Sequence, residues 1–277
     1  MYSCFAIALL FATASPLAAQ GGEAGTATFQ MTVHLPDSLK GKLPIPIGGD
    51  LDMQMKYMMD GRRVAMEMAP GALTPMLAGM RIRMTFTLGT DTMHVGILLA
   101  PEMAAAGGSA GSRLDIPVSM LGAASPLLGS LMDSTARKMI DSLGKTPPVY
   151  HSLGTSATVA GMACEEWEAV RGTDTTRTCV IPTPRGLLAL QEQFKTMTGL
   201  QNLMAQMPGL ADMQKQAYGG REMTAIRTIN VKMGIRMELT SFTPGVPDAT
   251  QLALPDGLTL MPMPALPTKP GGGGRQR

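Results

Sequence analysis

Alternation of apolar and polar residues dominates the first hundred positions of the chain. Two alternating runs over 51–59 and 62–68 flank Asp60-Gly61, a dipeptide that tolerates the positive φ of a tight turn, and predict a β-hairpin. A second hairpin is predicted over 80–88 and 92–99 across Gly89-Thr90-Asp91, and a third over 163–170 and 175–181, turning through Gly172-Thr173-Asp174. Partial alternation over 26–35 predicts a first strand, ended by Pro36-Asp37. Far downstream, Ile229, Val231, Met233, Ile235, Met237 and Leu239 alternate with polar residues or glycine, the pattern of one long half-buried antiparallel strand.

Elsewhere the period changes to that of a helix. Ser125-Pro126 supplies an N-cap and an N1 proline, Leu128, Leu131, Met132, Met139, Ile140 and Leu143 follow at helical spacing, and Gly144 closes the segment. Thr183-Pro184 opens a second helix carrying Leu187, Leu190, Phe194 and Met197, and 200–218 reads as broken helix around Pro208-Gly209. The Ala/Gly/Ser-rich stretch 104–112 reads as a mobile loop. Together these patterns predict an α+β fold: a curved antiparallel sheet of about eight to ten strands, an incomplete barrel partly covered by two or three helices.

The ends of the chain read differently from its middle. Residues 1–20 have the apolar stretch and small-residue exit of a secretory signal peptide, with Pro16 and Ala18-Ala19 before Gln20. A single domain is expected over 21–260, followed by a Pro/Gly-rich disordered tail over 261–277. The formal net charge is +2 and charged residues make up 16%, so no basic surplus calls for nucleic acid. The protein is expected to be exported, to the periplasm or the outer membrane, and not to be an integral membrane protein.

Composition then sharpens the strand pattern. The chain has 26 methionines but only 4% aromatic residues, so thioethers supply much of its apolar bulk. Parity places Leu51, Met53, Met55, Tyr57 and Met59 on one hairpin face with Val64, Met66 and Met68. In the second hairpin Met80, Ile82, Met84, Phe86 and Leu88 share a face with Met93, Val95, Ile97 and Leu99, while Asp52, Gln54, Lys56, Arg63, Glu67, Arg81, Arg83 and Thr85 take the opposite parity. Three readings of the methionine face stand side by side. It is a core in which Met replaces Leu or Ile, or an apolar surface that repacks around variable ligands such as acyl chains. In the third, Cu(I) is held by thioethers, as Met53-x-Met55, Met66-x-Met68 and Met261-x-Met263 suggest. The candidate ligand-binding residues are Met53, Met55, Met66, Met68, Met80, Met84 and Phe86. No cofactor is expected.

Cys164 and Cys179 are the cysteines outside the N-terminal apolar segment, and the third hairpin brings them near one another across its two strands. In an exported protein such a pair oxidises to a disulfide. His34, His94 and His151 show no ligand spacing that would complete a zinc site, and the pair lacks the Cys-x-x-Cys form of a redox centre.

The run Gly154-Thr155-Ser-Ala-Thr-Val159-Ala-Gly161, followed by Cys164, Trp167 and Cys179-Val-Ile-Pro, resembles the DUF4412 group of bacterial exported proteins. The resemblance extends to Met237-Glu-Leu-Thr-Ser-Phe242 and Leu254-Pro-Asp-Gly257, and more loosely to the strand over 26–35. That group is similar to the LolA/LolB-like periplasmic lipoprotein carriers, which implies an incomplete antiparallel barrel with helices on its concave side. It implies no catalytic residue.

Other motifs do not assemble chemistry. Gly107-Gly-Ser109-Ala-Gly111 satisfies Gly-x-Ser-x-Gly, but the nucleophile turn needs a strand directly before it and a helix directly after. Glu165 and Glu166 are adjacent in a strand and point to opposite faces, so they read as solvated or as partners of Arg177. His94 and His151 show no partners in the sequence, and Arg62, Arg63, Arg81 and Arg83 read as a plain solvated face, with contact to anionic lipid as the alternative. The chain is therefore expected to be a non-enzymatic binding protein of the cell envelope, with an apolar ligand or lipid, and envelope proteins, as partners. The alternatives are a Cu(I)-handling protein that uses methionine sulfur and a structural envelope protein with no small ligand.

Overall fold

The computed structural model describes residues 24–34, 50–70, 79–107, 109–117, 148–183, 217–232 and 234–262. Among these residues twelve strands form one sheet: β1 Ala24–Val33, β2 Leu51–Asp60, β3 Arg63–Pro70, β4 Arg81–Thr87, β5 Thr92–Leu98, β6 Gly111–Pro117, β7 Val149–Val159, β8 Met162–Arg171, β9 Asp174–Pro182, β10 Met223–Asn230, β11 Ile235–Pro244 and β12 Thr259–Leu260. Their order across the sheet is β12-β6-β5-β4-β3-β2-β1-β11-β10-β9-β8-β7. All neighbours run antiparallel except β12 on β6. The sheet curls: β7 comes into contact with β11 although three strands lie between them. A flat sheet would hold the two about 19 Å apart.

The expected α+β class is thereby corrected to a mostly β one. Among the described residues the α-helix is one short element, α1, Pro101–Gly107, with no buried residue. The predicted helices that begin at Pro126 and Pro184 lie outside the described residues, as does 200–216 of the broken helix. A sheet of twelve strands does not need helices to make a core when its own curl turns one face inward, and that is where the core sits.

All three predicted hairpins form. In the first, Gly61 takes φ 85° and the Asp60 carboxylate accepts hydrogen bonds from the backbone N–H of Arg62 (3.0 Å) and Arg63 (2.7 Å), so the side chain of the turn's first residue satisfies its backbone. The register pairs Met55 with Met68 and Tyr57 with Met66. Both neighbouring strands of β1 are long: it runs beside β2 over its whole length and beside β11 with one irregularity at Thr28/Phe29.

Two expectations about local structure need correction, and two further features carry no sequence signal. The single strand read over 229–239 is two, because the chain turns at 231–234. Gly234 adopts φ 62° with its Cα so close to β1 that a Cβ there would stand 2.6 Å from the His34 carbonyl oxygen. Val231, assigned to the buried face by parity, is 82% exposed in that turn. The stretch 104–112 is not a featureless loop but the end of α1 and the start of β6. β6 and β7 carry no long apolar alternation, being next to or at a sheet edge, and β7 is mostly exposed, with its register interrupted between Ser152 and Ser156. Finally, the segment after β11 is an ordered strap.

The strap crosses the sheet on the face opposite the methionines. Leu252, 3% exposed, closes on Met58 and Ala65, which are 1% and 0% exposed. Gly96 lies under Leu254 and Leu258, so near that a Cβ would meet the Leu254 side chain at 2.8 Å. Arg83 donates to the carbonyls of Ala253 (2.9 Å) and Thr250 (3.3 Å). β12 then pairs with Ser112 and Arg113, and Met261 N–H donates to the Arg113 carbonyl at 2.8 Å.

Candidate ligand-binding face

The inward face of the sheet is built from cross-strand rows. Leu239, Phe29, Met55, Met68, Ile82 and Ile97 form one, passing from β11 through β1 to β5. Beside it run Ala27, Tyr57, Met66, Met84, Val95 and Leu114. Strand alternation accounts for the whole arrangement, since every member has the same parity within its strand. The rows merge with the curled half of the sheet, where Val159, Cys164, Cys179, Ile181, Ile226 and Met237 join the same cluster.

Burial grades across this face. Met55 and Met68, 1% and 5% exposed, are sealed, and so is Phe86 at 8%. Met53, Met66 and Met84 are only partly buried and pack against the cluster from its rim. Met80 is partly buried too but precedes β4 rather than lying in it. Met66 and Met84 stand directly opposite each other on β3 and β4. The strand register therefore brings Met53, Met55, Met66, Met68, Met84 and Phe86 onto one surface and leaves Met80 at its margin. Of the paired thioethers considered for Cu(I), Met55 and Met68 are buried and Met263 lies outside the described residues.

Tyr57 is the polar exception on this surface. Its ring meets Phe29 edge-on at 5.7 Å between centroids, and burial pushes its hydroxyl up to about 12, so it stays neutral. A face of thioethers, aliphatics and a neutral phenol can hold apolar matter by dispersion and exclusion of water.

Cys164 and Cys179 are joined as a disulfide with a Cα–Cα distance of 5.5 Å. Glu166, not Cys164, is the register partner of Cys179. The bridge is thus diagonal across β8 and β9, and both sulfurs belong to the inward core. Trp167, at odd spacing from Cys164, lies on the other face of β8. There Tyr218 meets it edge-on at 5.5 Å, Tyr150 meets Tyr218 at 5.4 Å, and the Arg221 guanidinium covers the indole at 5.4 Å. Arg221 also forks onto Glu165 at 2.6 and 3.1 Å, which holds the Glu165 carboxyl below its ordinary range. Burial raises Tyr150 to about 12 and raises Tyr218 as well. This is a capped second layer of packing, and the partner of Glu165 is Arg221 rather than Arg177, which reaches Glu168 at 3.3 Å. Glu166 bonds Arg227 at 2.7 Å.

The polar motifs resolve into structure. Ser109 Oγ donates to the Gly111 carbonyl at 2.8 Å and contacts Thr259 Oγ1 at 3.2 Å, in a bend between α1 and β6. This is the reverse of the strand-to-helix order that a nucleophile turn requires. His94, expected to lack partners, bonds Asp115 at 2.7 Å across β5 and β6. Arg113 forks onto the same carboxylate at 2.6 and 2.8 Å, and its hydrogen bond, seconded by His94, takes the Asp115 carboxyl down to about 2. Arg81 and Arg83 share Glu67, so Arg83 is a partly buried anchor rather than a solvated charge. Sequence parity places it on the outer face and gives no sign that a strap covers that face. Among the described residues no three His, Cys, Asp or Glu side chains converge on one point, and no helix is long and apolar enough to cross a membrane.

No family model matches the chain, and no curated protein does. Among solved structures it is similar to the MucA/MucB complex of Pseudomonas aeruginosa, with a TM-score of 0.35 and 11% identity over 92% of this chain and 61% of that one. It is also similar to PNGF-II in two crystal forms, with TM-scores of 0.33 and 0.32, identities of 8% and 6%, and coverage of 86% of this chain but only 31% and 30% of the other. Likeness at this level carries no argument about activity or partners. The resemblance to the DUF4412 group rests on its sequence motif alone.

Proposed function

We propose that the chain is a non-enzymatic binding protein, exported to the cell envelope, whose methionine-lined sheet face takes up an apolar ligand with the chemistry of a lipid acyl chain. The observation that carries this reading is the gradient of burial on neighbouring strands: Met53, Met66 and Met84 form a partly exposed rim on a surface whose interior members, Met55 and Met68, are sealed. Thioethers suit such a rim because an unbranched, polarisable side chain can repack around ligands of different shape. The buried disulfide is in keeping with export to an oxidising compartment, and the motif that resembles the DUF4412 group agrees with it.

The test is titration with a fluorescent long-chain fatty acid. Wild type is expected to bind it, Met66→Leu and Met84→Leu to keep binding, and Met66→Glu to weaken it at least about tenfold, the equivalent of 1.4 kcal/mol. Absence of saturable binding by the wild type, or equal binding by Met66→Glu, rejects the reading. Loss of binding in both leucine variants rejects it too, and points to a sulfur-specific ligand such as Cu(I).

A further inference from the structure

Tyr57 sets a requirement on the ligand that apolarity alone does not. We propose, on the reading of the methionine face as a ligand site, that the Tyr57 hydroxyl is the polar anchor of that face. It donates a hydrogen bond to a carbonyl oxygen at the head of an acyl chain, so the site selects fatty acids and acyl esters over hydrocarbons of the same length.

Register places the phenol at the closed end of a half-open row. Tyr57 stands opposite Ala27 on β1 and Met66 on β3, and the row continues through Met84 and Val95 to Leu114 on β6. Tyr57 is 6% exposed, whereas Met66, Met84, Val95 and Leu114 are all partly buried. From a buried phenol the row therefore runs on over β3 to β6 as apolar surface that is not fully covered. Neighbouring strands lie about 4.8 Å apart, so the row spans about 19 Å from β2 to β6, room for an extended long acyl chain lying across the strands with its head at Tyr57.

The phenol itself has an unused donor. Its ring is fixed edge-on against Phe29 at 5.7 Å between centroids. Among the described residues its hydroxyl has no hydrogen-bond partner, and burial is what raises its pKa to about 12. The wholly enclosed side-chain polar atoms without a partner, among the described residues, are Arg171 Nη1 and Thr178 Oγ1. Tyr57 Oη is not one of them, so a buried ring carries a hydroxyl that is still open to contact. Phenylalanine would fill the same core space without a polar group to desolvate.

Remaining protonated through the ordinary pH range, the hydroxyl is a neutral donor. A carbonyl oxygen accepts its hydrogen bond; an alkane offers it nothing. A site built to hydrogen-bond its ligand rejects the analogue that lacks the acceptor, because the site's own polar group is then left unpaired. Met66 and Met84 adapt to the shape of the chain, and Tyr57 fixes where its head lies.

The experiment titrates full-length protein with three probes that share one reporter: pyrenedodecanoic acid, its methyl ester, and dodecylpyrene, which has the chain without the carbonyl. Wild type is expected to bind the acid and the ester at least about fivefold more tightly than dodecylpyrene. Tyr57→Phe is expected to weaken the first two by about five- to tenfold and to leave dodecylpyrene within about twofold. Which of the acid and the ester binds more tightly tells a free acid from an esterified head. Phenylalanine keeps the ring that meets Phe29, urea melts read by Trp167 show that the variant folds, and the wild-type comparison of the three probes needs no variant. Equal affinity of wild type for all three, or an equal effect of Tyr57→Phe on all three, overturns the proposal while leaving an apolar site in place. Saturable binding of none of them overturns it together with the reading of the face as a ligand site.

Discussion

Replacing Glu67 by leucine removes the carboxylate that neutralises Arg83 beneath the strap. The two side chains are each 14% exposed, and Arg83 Nε donates to Glu67 Oε2 at 2.8 Å. Arg81 adds a longer contact at 3.5 Å from a more exposed position. Removing one partner of a buried ion pair costs about 3 to 5 kcal/mol because the other charge is left desolvated. Here the residual exposure and the two strap carbonyls still bonded to Arg83 lower the expected loss to about 2 kcal/mol. Urea unfolding, followed by tryptophan fluorescence from Trp167, should show a lower midpoint with an unchanged slope. The double variant Glu67→Leu/Arg83→Met should recover much of the loss, since an apolar pair of similar volume carries no uncompensated charge. A single-variant loss below about 0.5 kcal/mol, the range of ordinary surface substitutions, would refute the claim that this partly buried pair anchors the strap.

Other expectations follow from the same geometry. Reduction of the Cys164–Cys179 bridge, whose ends are 15 residues apart, should lower unfolding stability by about 3 kcal/mol on the chain-entropy account; equal urea midpoints with and without reductant would contradict it. The Asp115 carboxyl, lowered to about 2 by Arg113 and His94, contributes stability that is fully present above its unfolded pKa near 4 and is lost as pH falls from there towards 2. Asp115→Asn should therefore flatten part of the stability profile in that acid window and leave its shape above pH ~5 unchanged, as pH-stepped urea melts can show. In the Gly-x-Ser-x-Gly run, Gly111 has φ 138° and an added Cβ would fall 2.0 Å from the Ile97 carbonyl oxygen, whereas Gly107 has open space. Gly111→Ala should destabilise by more than about 3 kcal/mol, and Gly107→Ala by less than about 1; similar melting temperatures for the two would sink the structural reading of this motif.

What the sequence made legible was what depends on neighbours in the chain. Asp60-Gly61 encodes its own turn, and strand parity alone assigns Met53, Met55, Met66, Met68 and Met84 to one surface. The break at 231–234 was hidden because Val231 and Met233 continue the alternation through a turn whose cause is the approach of β1, two hundred residues earlier in the chain. The strap was illegible for a similar reason: nothing in the alternation over 92–99 marks Gly96, and only the fold shows that Leu254 needs the space. Arg83 looked like any outward charge, because alternation distinguishes the two faces of a sheet but not whether something lies over one of them. The expected class failed in the same way. Helical spacing proposed a covering layer, while the described residues turn a face inward by curling the sheet itself.

The central claim, that the thioether-rimmed face holds an apolar ligand, is tested most directly by native mass spectrometry of the protein purified from its own compartment without detergent. A population carrying extra mass is expected, which dissociates, is identified after extraction as acyl lipid, and is reduced in Met66→Glu. Protein of bare polypeptide mass, or adduct retained equally by Met66→Glu, would contradict it and leave the methionine face as core alone.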